Sequence, residues 1–306
     1  MNDNLYSVAI VLATYNGEKY IAEQLQSIAQ QTHSNWQLIV GDDGSTDGTY
    51  QVLQKFAMEY PTTILVNARL GFVENFLSTL FSAENKYDFY LFSDQDDYWD
   101  ADKIAQGLKA LENTPQNIPA LYGSRSRLMN AGGDCYSHSQ LFKRPLGFRN
   151  ALVQCFAGGN TMMINRAAWE LLRAAKKTPL ISHDWWFYQL ISGAGGSVVY
   201  DPVPRLNYRQ HGDTLVGSSA GFSAFLARVR SLGKGVWKNW NDIQVAALQV
   251  NASLLTDENR RILDCFAKAR KSSMIPRVTG FYASGVYRQT PIGNAGLLAA
   301  ALFNRM

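Results

Sequence analysis

Residues 88–102 read DFYLFSDQDDYWDAD. The apolar run Phe89 to Phe92 stops at Asp94, Asp96 and Asp97, with Gln95 between the first two and Tyr98 and Trp99 directly behind. A buried strand delivers such acids together at its carboxyl end, the edge on which open α/β sheets build their ligand crevice. This strand end therefore reads as a metal and phosphate site, provided that the rest of the chain supplies the sheet.

Three earlier segments repeat the pattern. Val8 to Ala13 is a continuous apolar run, the mark of a strand covered on both faces, and it ends in Thr14-Tyr15-Asn16-Gly17. Ile21, Leu25 and Ile28 then fall at helical spacing. Trp36 to Gly41 is a second strand, breaking into Asp42-Asp43-Gly44-Ser45-Thr46-Asp47-Gly48, and Val52, Leu53, Phe56 and Tyr60 form the next helical stripe. Thr63 to Val66 is a third strand, and Phe72 to Phe81 a third helix with Phe76, Leu77 and Leu80 inward. This alternation predicts an α/β fold: a mainly parallel, Rossmann-like sheet with right-handed crossovers, flanked by helices. Such a sheet gathers TYNG, DDGSTDG and SDQDD along one edge. DDGSTDG alone is equally well a turn and helix cap; its coincidence with two other polar strand ends favours binding. Neither GxGxxG after the first strand nor GxxxxGK[ST] is present, so dinucleotide and P-loop readings lack their phosphate cradle.

Beyond the acids, Ile104, Leu108 and Leu111 predict a helix, and Ala120 to Asn130 two short strands. Residues 134–150, with His138, Lys143, Arg144 and Arg149, read as an irregular polar loop, either a mobile lid or a solvated excursion. Phe156-Ala157-Gly158-Gly159-Asn160 enters a strand from Thr161 to Ile164 through glycines that permit close backbone approach to a ligand. Ser182-His183-Asp184-Trp185-Trp186 opens a helix with Ser182 at the N-cap and Asp184 in the first turn, where the helix dipole favours its ionised form. The paired tryptophans are either an aromatic wall for sugar rings or core residues. Ser197 to Tyr200 and Leu206 to Tyr208 read as strands, the latter ending in Arg209-Gln210-His211-Gly212. His211 is either structural or a metal or diphosphate contact.

A net charge of +4, without a run of five like charges, gives nucleic-acid binding little support. The basic excess sits in residues 221–306, whereas acids and bases are close to balanced up to Gly212. Cys135, Cys155 and Cys265 are isolated, which suggests neither a disulfide framework nor a zinc site and fits a reducing cytoplasm. The N-terminal MNDNLYSVAIVLATYNG is unlike a signal peptide, and no apolar stretch reaches the roughly 18 residues of a membrane span.

With these loops in place, the sequence resembles the family 2 inverting glycosyltransferases of the GT-A fold. ATYNGEKYI, GDDGSTDGT, FSDQDD, GGNTMMINR, SHDWW and YRQHG match in order over about residues 7 to 217. SDQDD, HDWW and YRQHG look most like the rhamnosyltransferase branch that builds bacterial O-antigen and cell-wall rhamnan. The resemblance implies a GT-A domain over residues 1–217, with nucleotide held by Ala13, Thr14, Tyr15, Asn16, Glu18, Asp42 and Asp43, the last reading the pyrimidine base. It implies that Asn75, Asp94, Gln95, Gly158, Gly159, Asn160 and Trp185 border the donor sugar and acceptor. Asp94, Asp96 and His211 would hold Mg²⁺ or Mn²⁺ across the diphosphate, and Asp184 would be the general base. One departure is the third acid, Asp97, which leaves the pairing of metal ligands open. The implied reaction moves a sugar, L-rhamnose from dTDP-L-rhamnose or another from a UDP-sugar, to a lipid-linked bacterial surface glycan at the inner face of the cytoplasmic membrane. A nucleotidyltransferase would want an early Gly- and basic-rich phosphate loop, and none is present; a binding module without chemistry would not need Asp96 and Asp184.

Residues 218–306 lie outside the motifs and read as a mostly helical extension. Phe222, Phe225, Leu226, Val229 and Leu232 fall at helical spacing among Arg228, Arg230, Lys234 and Lys238, with Trp237 and Trp240 after them. A basic amphipathic helix of this kind fits an anionic membrane surface, and equally a helix packed on the catalytic domain or in a homodimer interface.

Overall fold

A computed structural model of the protein describes residues 6–210 and 236–306. His211 and the amphipathic segment expected between Phe222 and Lys234 lie outside the described residues. The chain divides into two compact units; within the described residues, one holds 6–141, 157–173 and 199–210, and the other 142–156, 174–198 and 236–306.

The first unit is built on a seven-stranded mixed sheet. In chain order its strands are β1 (Val8–Thr14), β2 (Trp36–Asp42), β3 (Thr62–Val66), β4 (Phe89–Ser93), β6 (Ala120–Ser124), β9 (Met163–Asn165) and β10 (Ser197–Asp201), arranged β10-β6-β9-β4-β1-β2-β3. The strand that carries SDQDD is thus the middle one. β4, β1, β2 and β3 run parallel, while β9 is antiparallel to both its neighbours. Every residue of β4 and β6 is buried, as continuous apolar runs require of strands covered on both faces. Helices α1 (Ile21–Ala29), α2 (Thr49–Ala57) and α3 (Phe72–Ser82) connect the parallel strands, with Ile21, Leu25, Ile28, Leu53, Phe76 and Leu80 buried. Each such side chain stabilises the fold by about 1.5–3 kcal/mol relative to exposure. α4 (Lys103–Leu111) and α6 (Arg166–Ala174) complete the α/β layers.

A second, four-stranded sheet has the order β5-β11-β7-β8, from β5 (Tyr98–Trp99), β7 (Arg127–Asn130), β8 (Cys135–His138) and β11 (Leu206–Gln210). Its strands β5 and β11 pair antiparallel directly behind the acidic cluster. β8 corrects the expected irregular loop: residues 135–138 pair with β7 through a bulge.

The second unit is helical: α5 (Phe148–Ala151), α7 (His183–Gly193), α8 (Val236–Val250), α9 (Asp257–Lys271), α10 (Met274–Ser284) and α11 (Pro291–Leu302). α7 is buried along nearly its whole length, from Trp185 to Gly193. A Cβ at Gly193 would lie 2.6 Å from Leu255 and 3.0 Å from the Phe148 ring, so glycine permits the close approach there. Residues 143–149 are fastened to the C-terminal helices rather than free as a lid. The amides of Lys143 and Arg144 donate to Oε1 of Gln289 at 3.1 and 2.8 Å, and Arg149 Nη1 donates to the Ser284 carbonyl at 2.7 Å.

Candidate active site

The first unit sews three strand-end loops together. Gln95, in the loop after β4, accepts from Thr14 Oγ1 at 2.6 Å and from the Tyr15 amide at 2.9 Å, so SDQDD and TYN form one surface. A Cβ on Gly17 would lie 2.5 Å from Gln95 Oε1, so a side chain there would displace the Gln95 amide. Asn16, at φ 48°, reaches the next loop: its amide donates to Ser45 Oγ and its Oδ1 accepts from the Thr46 amide, both at 2.9 Å. Glu18 accepts from the Gly48 amide at 2.9 Å and its own amide donates to Asp47 at 3.1 Å. DDGSTDG is therefore a built rim, not merely a helix cap, held by the residues of TYNGE.

Within that rim, Asp42 and Asp43 are buried. Asp42 accepts from Ser45, through both its hydroxyl and its amide. Asp43 accepts from the amides of Leu70 at 2.6 Å and Gly71 at 2.8 Å, one on each oxygen. This fixes the carboxylate plane and leaves each oxygen a further lone pair. Asn75 is engaged elsewhere than at a sugar: it is buried, its Nδ2 donates to the Gly41 carbonyl at 2.8 Å, and its Oδ1 accepts from Asn67 at 2.8 Å. Any Cβ at Gly41 would overlap Thr79 and Asn75, so this asparagine belongs to the contact of α3 with β2.

The three acids of SDQDD part company. Asp94 and Asp96 are half-buried, whereas Asp97 is fully buried and accepts from Asn160 Nδ2 at 2.5 Å and from the Arg209 amide at 3.3 Å. Burial, followed by the charges of Asp94 and Asp96, pushes the Asp97 carboxyl well above its usual range. Asn160 thus spends its amide on Asp97. Gly159 is buried beside it, Gly158 is exposed, and the carbonyl of Met162 accepts from the Phe92 amide at 3.1 Å, tying this glycine turn to β4.

Arg209 belongs to YRQHG, whereas Lys103 and Arg69 beside these loops stand outside the motifs. Arg209 is buried; its Nε donates to the Asp96 carbonyl at 3.0 Å, Nη2 pairs with Glu23 at 2.5 Å, and the guanidinium lies 4.6 Å from the Tyr20 ring centroid. Lys103 is buried with Nζ 3.8 Å from the Trp99 ring centroid and donates no hydrogen bond to a described residue. Burial pulls its pKa down to about 7, against the opposing pull of Asp97, Asp94 and Asp100. Its signal in the sequence is spacing: Lys103 stands four residues before buried Gly107 and eight before buried Leu111, on the inward stripe of α4. Arg69, at φ 59°, lays its guanidinium 4.1 Å from the ring of the exposed Tyr15, at the mouth of the rim.

Asp94 and Asp96 fit a divalent cation that keeps waters and bridges phosphates, because Mg²⁺ is held by one or two carboxylates more often than by an all-protein cage. Among the described residues, no three His, Cys, Asp or Glu side chains are grouped as metal ligands.

In the second unit, Ser182 takes the extended N-cap conformation of α7 without a side-chain cap bond. Asp184 is half-buried in the first turn, and its Oδ1 accepts from the Trp185 amide at 2.7 Å. Trp185 and Trp186 are core residues, not an aromatic platform: both are buried, and the Trp185 indole N–H donates to the Ala151 carbonyl at 2.7 Å. Burial holds His183 down to about 4, the Asp184 charge opposing.

The description of glycosyl transferase family 2 matches residues 9–172, more than half of the chain. The chain belongs to this family. RfbG of Shigella flexneri, a dTDP-rhamnosyl transferase, is 28% identical over 273 residues, covering 81% of this chain and 87% of that protein. TarS 1-349 of S. aureus, crystallised with UDP-GlcNAc, superposes with TM-score 0.56 at 17% identity over 92% and 93% of the two chains. The mannosyltransferase PcManGT of Pyrobaculum calidifontis, in complex with GDP-Man and Mn²⁺, superposes with TM-score 0.52 at 18% identity over 98% and 86%. These likenesses carry the fold, which is of GT-A type, and the family match makes the chain a glycosyltransferase.

Proposed function

We propose that this glycosyltransferase is metal-dependent and inverting, and that it moves L-rhamnose from dTDP-L-rhamnose to a hydroxyl of a lipid-linked bacterial surface glycan. The observation that carries the donor reading is the similarity to RfbG over most of both chains. The crevice supports it chemically, since the loops of TYN, DDG and SDQDD form one hydrogen-bonded rim.

On this reading the nucleotide lies along residues 13–18, and Asp43, its carboxylate set by Leu70 and Gly71, accepts from the N–H of the pyrimidine. Asp94 and Asp96 would hold Mg²⁺ or Mn²⁺, which when bound offsets negative charge growing on the departing diphosphate. Asp97 is left out of that pair because its oxygens are committed to Asn160 and Arg209. Asp184 takes the proton of the acceptor hydroxyl as that oxygen bonds to the anomeric carbon. The bond from that carbon to the diphosphate oxygen breaks in the same displacement, its electron pair leaving with the diphosphate, and configuration inverts. A lipid-linked acceptor would bring the enzyme to the cytoplasmic face of a membrane, with residues 1–217 as the transferase domain and 218–306 as the associating region.

A UDP-sugar is the second reading, favoured by the TarS complex on the same fold. A thermal-shift panel of dTDP- and UDP-sugars with Mn²⁺, followed by donor hydrolysis, separates the two. dTDP-rhamnose should give the largest shift and the fastest hydrolysis. A UDP-sugar that outranks it on both measures would overturn the rhamnosyl reading and leave the family intact.

A further inference from the structure

The last 42 residues, 265–306, contain six Lys or Arg side chains and no Asp or Glu. Three of the six work inside the second unit, among them Arg288, whose Nη1 donates to the Val153 carbonyl at 3.1 Å. Arg277 Nη1 donates to the Ala301 carbonyl at 3.0 Å while its Nε and Nη2 hold the Ser272 carbonyl at 3.1 and 2.7 Å. Arg270 Nη2 donates to the Met306 carbonyl at 3.0 Å. These bonds bring the start of α10 beside the end of α11. Four large apolar side chains are left pointing outward at that end of the unit: Met274 (55% exposed), Ile275 (71%), Leu302 (42%) and Phe303 (75%). Lys268, Lys271 and Arg305 are exposed within a few residues of them in the chain. The nearby acid Asp242 is already bonded to Arg270 and Lys238. Among the described residues no helix is long and apolar enough to cross a membrane, so these side chains offer shallow contact only.

We propose that this end of the second unit is a docking tip for an anionic phospholipid bilayer, with Met274, Ile275, Leu302 and Phe303 entering the headgroup and acyl boundary while Lys268, Lys271 and Arg305 pair with lipid phosphates. Exposed apolar side chains ringed by Lys and Arg match an interface that is greasy within and negative at its surface. A second copy of the chain fits less well. Two such ends brought together face like charge with like, and a stable dimer needs on the order of 800 Å² per partner, more than four side chains provide. The proposal deepens the acceptor reading above and rests on it for its purpose, though not for its surface.

The test is sedimentation of the full chain with vesicles of phosphatidylcholine containing roughly one third phosphatidylglycerol, against pure phosphatidylcholine. The tip should bind the anionic vesicles at least about tenfold more tightly, weakening as salt is raised. The double variant Ile275→Ser/Phe303→Ser should lose about tenfold of that binding, with unchanged thermal stability and unchanged transfer to a water-soluble acceptor. Met58→Ser, which removes an exposed apolar side chain of the first unit, should change nothing. Equal binding to both vesicle types, or undiminished binding by the double variant, would overturn the proposal. So would a double variant that turns a dimer into a monomer by light scattering while vesicle binding persists. Failure of transfer with intact vesicle binding would count against the acceptor reading alone.

Discussion

Single residues of the crevice act through what they leave room for and what they neutralise. Gly17 lets Gln95 bridge to Thr14 and Tyr15; a methyl group there would stand 2.5 Å from Gln95 Oε1 and 3.0 Å from Thr14 Oγ1. Gly17→Ala should therefore weaken dTDP binding by about tenfold, since overpacking of this kind costs about 1–3 kcal/mol, and calorimetric titration would show it. Lys103 and Asp97 are both buried, and the charge of Asp97 acts on Lys103. Lys103→Met removes a buried cation on which Asp97 exerts the largest of three acid pulls, and should lower the unfolding free energy by about 3–5 kcal/mol. Adding Asp97→Asn should restore part of that loss, with a coupling of about 0.5–3 kcal/mol in a denaturant double-mutant cycle. Additive losses would show that the two do not interact. The strand-end loops that carry Asp43, Gln95 and Asp96 were legible as loops because short polar motifs at strand ends announce themselves, and Gln95 is bonded across to Thr14. Asn75 and Trp185, expected beside the sugar and acceptor, are buried, and packing sets the direction of the amide toward Gly41 and of the indole toward Ala151, which the sequence does not display. Arg209 stands in YRQHG, but its partners Glu23 and Asp96 lie far from it in the chain, so the motif did not announce what it holds.

Among the elements, α7 carries both the proposed base and a liability. His183 at its start is buried and neutral, with a pKa of about 4 against an ordinary 6.5. Between pH 6.5 and 4 the unfolded chain takes up a proton that the native helix refuses, so stability is lost as pH falls through that window and is fully present above it. Two and a half units correspond to about 3 kcal/mol. His183→Asn should shrink the drop in melting temperature between pH 7 and pH 4.5, read by thermal unfolding at each pH; an unchanged drop would place the acid sensitivity elsewhere. In α11, a Cβ added at Gly296 meets nothing within 4 Å. Gly296→Ala should raise stability by about 0.5–1 kcal/mol through helix propensity, measured by the same unfolding. Parallel strands and their helices were the most legible elements, because Val8 to Ala13 and Phe89 to Phe92 are continuous apolar runs and Ile21, Leu25 and Ile28 keep helical period. β8 was not legible: CYSH has no alternation, and pairing with β7 defines it as a strand.

For the whole molecule, the order of motifs along the chain carried more than any motif alone. TYNG, DDGSTDG and SDQDD converge because β1, β2 and β4 run parallel and put their carboxyl ends on one edge, where Gln95 and Asn16 accept hydrogen bonds that join the loops. The two-unit division was hidden, because residues 142–156 and 174–198 group with the C-terminal helices through contacts distant in sequence. The proposed metal dependence belongs to this scale too. Chelation with EDTA should abolish transfer, and Mg²⁺ or Mn²⁺ should restore it, as read by release of the nucleoside diphosphate; full activity in EDTA would remove Asp94 and Asp96 from that role. The central claim is that this chain performs an inverting sugar transfer with Asp184 as its base. Asp184→Asn tests it most directly, assayed for dTDP-rhamnose binding and for transfer in parallel. The account predicts donor affinity within about twofold of the native enzyme and transfer lowered by at least about a hundredfold, the scale of a lost general base. Full turnover by this variant would contradict it.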